Sequence, residues 1–455
     1  MSGLAAKHHR RHVLGRGAVM AGAAGPLLTL AACGPGGGSA APAGRPAATI
    51  EGEIRVAMYN FQPWIEAMNA TFADFQQAHP RARVTLEITP SGIVEALQAA
   101  AMAGTPVDVS VAEASWIQRF GEAGQLVELE PLLKRDRMAL DLWYEPALQE
   151  GRYDARTGIS GSGALYALPA TYVGTLAYYN KALFQAAGLK EPAESWTWDD
   201  LVQLGTRLTT RGSDPGAAQY GVLLGGRIRE AMIWGAGGEF VARDGSKCLL
   251  DTPAAVKGIA FQVDLMHKHK VVPTGEALTA LPAPPFANGR IGIAFDGSWN
   301  LDTYVKQLTF EWDIAPVPIG PTGKRVAYMG TNLLVLWKGG KGGDAAWELL
   351  KFMTTEPGMK YFAETGTPGY KRTAESELYL KPGGKPAHRK YAVELARYGR
   401  PYTTEPFLAY WDPEYVRIWS ELVANTLSPE AGARQMCEQI DRALQEQRGR
   451  RGSGR

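Results

Sequence analysis

Histidine and cysteine are scarce in this chain, and the usual signatures of catalysis are missing. Seven histidines and three cysteines occur in 455 residues. After residue 12 only His79, His267, His269 and His388 remain. No HExxH occurs. His267 and His269 stand two apart on an expected helix, where side chains diverge, so no metal site is expected. No pair of cysteines has Cys-x-x-Cys spacing. Ser160-Gly161-Ser162-Gly163 lacks the spacing of a nucleophile elbow and reads as a flexible loop. Gly323-Lys324 and Gly340-Lys341 lack the earlier glycine and the following Ser/Thr of a P-loop. The adjacent acids Asp199-Asp200 open a helix, where the macrodipole accounts for them. These absences favour binding over catalysis, with no cofactor expected. They leave open carboxylate pairs assembled from distant positions. A basic excess is lacking too. The net charge is +2, but eight basic residues fall in 1–32 and 448–455, segments without an acid, so the body between them is about −6. A nucleic-acid binder carries a basic stripe across its fold.

What is present begins with a leader. Basic residues from Lys7 to Arg16 precede an apolar run of thirteen, Ala18 to Leu30. That is short for a membrane span and suits a signal-peptide core. Leu30-Ala31-Ala32-Cys33 resembles the bacterial lipoprotein cleavage box, which implies a lipid-modified Cys33 and a membrane anchor. Arg10-Arg11-His12-Val13-Leu14 resembles a twin-arginine export signal, with His9 and Gly15 departing from its flanks; a plain basic region is the other reading. Residues 34–49 are Gly, Ala, Pro, Thr and Ser with one Arg and read as a flexible tether. Cys248 and Cys437 are expected as two separate buried thiols, a long-range disulfide being the alternative outside the cytosol.

The body alternates strand and helix. Ile54, Val56 and Met58 alternate; Trp64, Met68, Phe72 and Phe75 follow at helical spacing, and His79-Pro80 stops that helix. Val84, Leu86 and Ile88 alternate again, Ser91 is placed to cap a helix, and Val107, Val109 and Val111 form a third strand. This βαβαβ order predicts a parallel sheet covered by helices. Later come a helix near 199–210 with capping-box spacing between Thr197 and Asp200, a strand at 220–224, and a helix near 227–234. A turn at Asp244-Gly245 and a helix opened by Pro253 follow. Further strands are expected at 290–295, 311–317 and 331–337, with a helix near 344–355 and two terminal helices, 412–425 and 428–447.

The stretch Leu165–Asp200, LYALPATYVGTLAYYNKALFQAAGLKEPAESWTWDD, resembles the family 1 extracellular solute-binding proteins, the ligand-capturing subunits of ABC importers. The segment 108–129, with Trp116, Phe120 and Gly124-Gln125-Leu126, is similar to that family as well. So are TPAAVKGIAFQVDLMHKH, FANGRIGIAFDGSWN, DAAWELLKFMTTEPG and GTPGYKRTA, in family order and over nearly all of the body. The resemblance implies an α/β, two-lobed periplasmic-binding-protein-like fold, each lobe a mostly parallel sheet flanked by helices, with the ligand cleft at the hinge. The expected division is a signal peptide at 1–32, a lipid-anchored linker at 33–50, lobe one at 51–169 plus 329–370, lobe two at 170–328 plus 371–447, and a basic tail at 448–455.

In open α/β sheets, ligands sit beyond the carboxyl ends of strands. Aromatic and polar residues expected there are Trp64, Glu113, Ser115, Trp116, Tyr172, Trp234, Asp296, Trp299, Tyr328, Asn332, Tyr370 and Trp411. An aromatic ring covers the apolar face of a sugar, and carboxylates or amides bond its hydroxyls. Each has a packing or capping alternative; Trp196 and Trp198 are assigned to packing. The resemblance implies that Trp299 stacks on sugar and that Tyr172 lies where the chain passes through the cleft. The expected function is capture of a sugar or oligosaccharide by a monomeric lipoprotein on the extracytoplasmic face of the membrane, and its delivery to an ABC permease. A glycerol phosphate ligand is the alternative, with Arg227, Arg229 and Arg325 as the residues to watch. An anchored carbohydrate-active enzyme and a ligand sensor are the other classes.

Overall fold

The computed structural model describes residues 50–402, 405 and 408–453. The leader, Cys33 and the tether up to residue 49 lie outside the described residues. The strands in chain order are β1 (Glu51–Tyr59), β2 (Arg81–Thr89), β3 (Val109–Ala112), β4 (Arg152–Asp154), β5 (Ile159–Ser160), β6 (Ala164–Leu165) and β7 (Ala167–Asn180). They continue with β8 (Tyr220–Leu224), β9 (Ile291–Gly297), β10 (Trp312–Ala315), β11 (Ala327–Leu336), β12 (Thr367–Pro368) and β13 (Gly399–Pro401). The main sheet runs β2-β1-β3-β11-β7-β9-β8, and β4 to β6 form a small separate sheet.

Two hydrophobic cores divide this sheet between two lobes. In the first, β1 pairs parallel with β2 and β3. The helix Gln62–Ala78 buries Trp64, Met68, Phe72 and Phe75 against that sheet, the stripe that spacing of three and four predicts. In the second, β8 pairs parallel with β9, and the helix Trp198–Leu208 packs over them with Leu201 and Leu208 buried. Thr197 and Asp200 make the reciprocal capping bonds at its start. Trp196 and Trp198 are buried, Trp196 donating to the Pro316 carbonyl at 2.8 Å.

β7 and β11 belong to both lobes. Fourteen residues of β7 reach about 45 Å at strand rise, so its start, Ala167 to Ala170, sits in the first core and Tyr172 to Tyr179 in the second. β11 runs antiparallel beside it and also pairs antiparallel with β3. Both strands are buried on nearly every residue, which explains the lack of alternation in LPATYVGTLAYY. Ser91 does not cap the helix Ile93–Met102; Gly92 holds that position in a left-handed conformation.

A third cluster of buried residues joins the helices Leu408–Val423 and Pro429–Ser453 to the helices Ile228–Gly235 and Pro253–His267. Cys248 and Cys437 are bonded here as a disulfide, which corrects the expectation of two separate thiols. Val241 and Cys248 bridge across the Asp244-Gly245 turn. That turn carries Cys248 onto the face of the last helix that also buries Ala433, Met436 and Ile440. No spacing rule reports a meeting of residues 189 apart.

Candidate functional site

A cavity of about 350 Å³ lies between the lobes, walled by the ends of parallel strands and by the crossing strands β7 and β11. Tyr59 ends β1, and Phe61 stands just before the first helix. Glu113 follows β3. Arg227 follows β8 by three residues, and Trp299 follows β9 by two. Tyr328, Gly330, Thr331 and Asn332 of β11 and Val173 of β7 form the back, with Glu150 and Thr365 beside them. Backbone groups beyond a parallel strand's carboxyl end are not used by the sheet, which leaves room and hydrogen-bonding capacity for a ligand.

Phe61 and Trp299 are each 39% exposed and line the cavity from the first and second lobes. Trp299 folds back so closely over Gly297 that a Cβ there would overlap its six-membered ring. One face of the indole is therefore covered by its own strand end. Gly330 leaves room in the same way for the Tyr328 hydroxyl. Neither glycine has a positive φ, so the neighbouring rings, and not the backbone, require them.

The charges are unevenly matched. The Glu113 side chain makes no hydrogen bond or ion pair among the described residues. The surrounding walls push its carboxyl above the usual range, and Arg227 opposes this in part. Burial, with the charge of Glu113 added, pushes the Tyr59 phenol up to about 12. Glu150 is buried and accepts from the Thr331 hydroxyl at 2.6 Å. Arg227 sits at φ 61°, a left-handed conformation that costs a non-glycine residue about 1 kcal/mol. Its guanidinium lies over the rings of Tyr328 and Tyr402, at 5.3 and 5.2 Å, and 3.5 Å from the fully buried Glu230. Burial works against the Arg227 charge, but Tyr328 and Glu230 outweigh it.

Five of the twelve residues expected from the sequence line this cavity: Trp64, Glu113, Trp299, Tyr328 and Asn332. Trp64 is 1% exposed and edge-on to Phe362 at 5.0 Å, so it is floor rather than platform. Asn332 donates to the Thr171 hydroxyl at 3.0 Å. The other seven do not line it. Tyr172 is buried in the second core, its hydroxyl spent on the Val393 carbonyl at 2.8 Å. Trp234 is buried beneath Arg400, 4.6 Å from its ring, and Trp411 is buried against Phe240. Asp296 accepts from the Gly297 amide, Asn300 and Tyr304, which leaves it a structural acceptor. Ser115 and Trp116 occupy the first turn of the helix after Glu113, with Trp116 packed on the first core. Tyr370 is edge-on to Trp143 at 6.3 Å.

Sequence reasoning missed Tyr59, Phe61, Glu150, Val173, Gly330, Thr331 and Thr365, and weighed Arg227 only for a phosphate ligand. Tyr59 and Phe61 were within reach of the strand-end rule that found Glu113. Nothing local marks Glu150, whose hydroxyl partner is 181 residues away. Among the described residues no group of three or more His, Cys, Asp or Glu is placed to hold a metal ion, and no helix is long and apolar enough to cross a membrane.

A family model described as bacterial extracellular solute-binding protein matches residues 60–360. The maltotriose-binding protein of Pyrococcus abyssi is 26% identical over 309 residues, 66% of this chain and 62% of that protein. A solved cyclic alpha-maltosyl-1,6-maltose binding protein from Arthrobacter globiformis shares the fold with a TM-score of 0.72 at 20% identity, over 87% of this chain and 100% of the other. UgpB from Mycobacterium tuberculosis, solved in complex with glycerophosphocholine, has a TM-score of 0.71 at 18% identity, over 87% and 100%.

Proposed function

Since the chain belongs to the bacterial extracellular solute-binding protein family, we propose that it captures a sugar or oligosaccharide between its lobes and delivers it to the permease of an ABC importer. The observation that carries this reading is the make-up of the cavity: exposed Phe61 and Trp299 rings, an unpaired Glu113 carboxylate, and Arg227 in the same cavity. Rings take the apolar face of a pyranose; the charged groups bond its hydroxyls. Closure of the lobes buries the solute, and the bound state is favoured by its higher affinity in the closed form. The permease then receives the solute, and this subunit makes or breaks no covalent bond. Lipidation at Cys33 would hold the body at the outer face of the membrane after export.

The arginines argue against a phosphate ester. Among the described residues, Arg227 is the one arginine that lines the cavity, where Glu113 and Glu150 also stand. Arg229 lies over Tyr415 and Trp419, paired with Glu230. Arg325 lies over Tyr398 and donates to the carbonyls of Val317 and Glu194. One cation among two carboxylates suits a neutral polyol better than a dianion. A thermal-shift screen of the purified protein against sugars, polyols and phosphate esters tests this, because a tight ligand raises the melting temperature by mass action. A shift with a phosphate ester and none with any carbohydrate would overturn the sugar reading; consumption of the ligand would overturn the non-catalytic one.

A further inference from the structure

Arg227 carries a positive charge to the wall of the cavity between the lobes, and something must hold that charge in one place. Its backbone is set. Gly226 and Arg227 are left-handed in succession, at φ 54° and 61°, and the Thr175 hydroxyl of β7 donates to the Gly226 carbonyl. Its guanidinium lies over the rings of Tyr328 and Tyr402, and the Tyr402 phenol donates to Asp412 at 2.6 Å. Buried Tyr328, Tyr402 and Trp234 separate this cavity from a larger one of about 670 Å³, lined in part by Gln149, Leu249 and Arg400. A ring face attracts a cation placed anywhere over it, so the rings do not by themselves fix where the guanidinium points.

Glu230 supplies the missing constraint. It stands in the first turn of the helix Ile228–Gly235 and is fully buried. Its Oε1 lies 3.5 Å from Arg227 and 3.4 Å from Arg229, so one carboxylate oxygen serves two guanidinium groups. Among the described residues no other carboxylate comes within ion-pairing distance of Arg227. Burial pushes the Glu230 carboxyl above its ordinary value, and Arg229 and Arg227 oppose this in part. Neither arginine is clamped in the two-bond fork that would occupy its donors. Most of the N–H groups of Arg227 therefore remain for the hydroxyls of a solute. The balance depends on the anion. Without it, Arg229 would repel Arg227, and the unpaired Glu113 side chain would draw Arg227 into the cavity, where it would take the place of the solute.

We infer that Glu230, which lies outside the lining of the cavity, is a positioning residue of the binding site: by sharing one oxygen between Arg227 and Arg229 it keeps the Arg227 guanidinium at the cavity wall with donors to spare. This rests on the sugar reading above.

The test is calorimetric titration of the native protein, Glu230→Gln, Arg227→Ala and the two combined. The probes are maltotriose, diacetylchitobiose and galactobiose and, where none of these binds, the carbohydrate that the melting screen selects. Glu230→Gln keeps the volume and removes the charge. It and Arg227→Ala should each weaken binding by about tenfold or more. Combined, they should be no more than about threefold worse than Arg227→Ala alone, because nothing is left to position. A merely structural Glu230 would lower affinity equally with and without Arg227, so losses that multiply overturn the inference. So does a folded Glu230→Gln protein that binds as tightly as the native one. Should Glu230→Gln fail to fold, Glu230→Gln together with Arg229→Met removes one charge of each sign and still leaves Arg227 without its partner; the same loss and the same lack of additivity are expected of it. Native affinity in Arg227→Ala takes Arg227 out of the site and overturns the inference while the sugar reading stands. If no carbohydrate binds and another solute does, the sugar reading falls and takes this inference with it.

Discussion

Removing the Cys248–Cys437 disulfide by a double Cys→Ser change is expected to lower stability by about 3–5 kcal/mol without abolishing the fold. The bond joins residues 189 apart. In the chain-entropy treatment, closing a loop of that length in the unfolded state is worth ~5 kcal/mol, while measured disulfides commonly deliver about 2–4. Both sulfurs are buried, so the serine hydroxyls add a smaller cost of their own. The last helix stays docked nevertheless. Ala433, Met436, Ile440 and Leu444 are all fully buried, and the larger three are worth about 1.5–3 kcal/mol each. The Asp441 carboxylate also accepts from the Cys248 amide at 2.6 Å. At about 2 °C per kcal/mol for a body of this size, the melting point falls by about 5–10 °C. The assay is a thermal melt of native and double-serine proteins with and without reductant, with mass spectrometry to report the thiol count. Native protein should melt like the variant once reduced, and reductant should leave the variant unmoved. An unchanged melt in protein shown to be fully reduced would refute the reasoning.

Trp299→Ala should weaken sugar binding by about tenfold while shifting stability by no more than about 0.5 kcal/mol; equal affinity in calorimetry would remove Trp299 from the site. Gly297→Ala should cost similar affinity, because the new Cβ displaces the same indole, and the double variant should be little worse than either single one; additive losses would show that the glycine acts by another route. Glu405 yields a pH prediction. Burial pushes its carboxyl up to about 7, against Arg400 and Arg243 and with Glu239 adding to the rise. The folded state therefore holds the proton more tightly than the unfolded chain does. The associated stability is full below the ordinary value of 4.5 and is lost as pH rises through 7, a swing of about 3 kcal/mol. Glu405→Gln should be the more stable protein at pH 8 and lose that advantage near pH 4.5; a gap that does not change across melts from pH 4.5 to 8 would rule this out.

Local patterns carried far. The stripe Trp64, Met68, Phe72, Phe75, the Thr197/Asp200 capping box and the packing of Trp196 and Trp198 each depend on residues a few positions apart, and each is found as the spacing implies. The strand-end rule led to Glu113 and Trp299, which line the cavity, because the carboxyl end of a parallel strand opens toward the cleft wherever the strand lies in the sheet. It also led to Tyr172 and Asp296, which do not line the cavity. Both stand in or at the end of a strand, but whether a side chain faces the cleft or an interior depends on what packs over it. Val393 and Tyr304 are the partners that decide it here.

The sequence by itself determined the elements, their alternation into an α/β fold, the resemblance to solute-binding proteins and the kinds of residue from which the site is drawn. These follow from short-range spacing, which the chain carries wherever it goes. Only the tertiary structure decided the disulfide, the placement of Arg227 in the same cavity as Glu113, the burial of Tyr172, Trp234 and Trp411, and the larger cavity beside the hinge strands. Each of these depends on groups brought together across long separations by β7 and β11 crossing between the lobes, and no local pattern records which residues such a crossing makes neighbours.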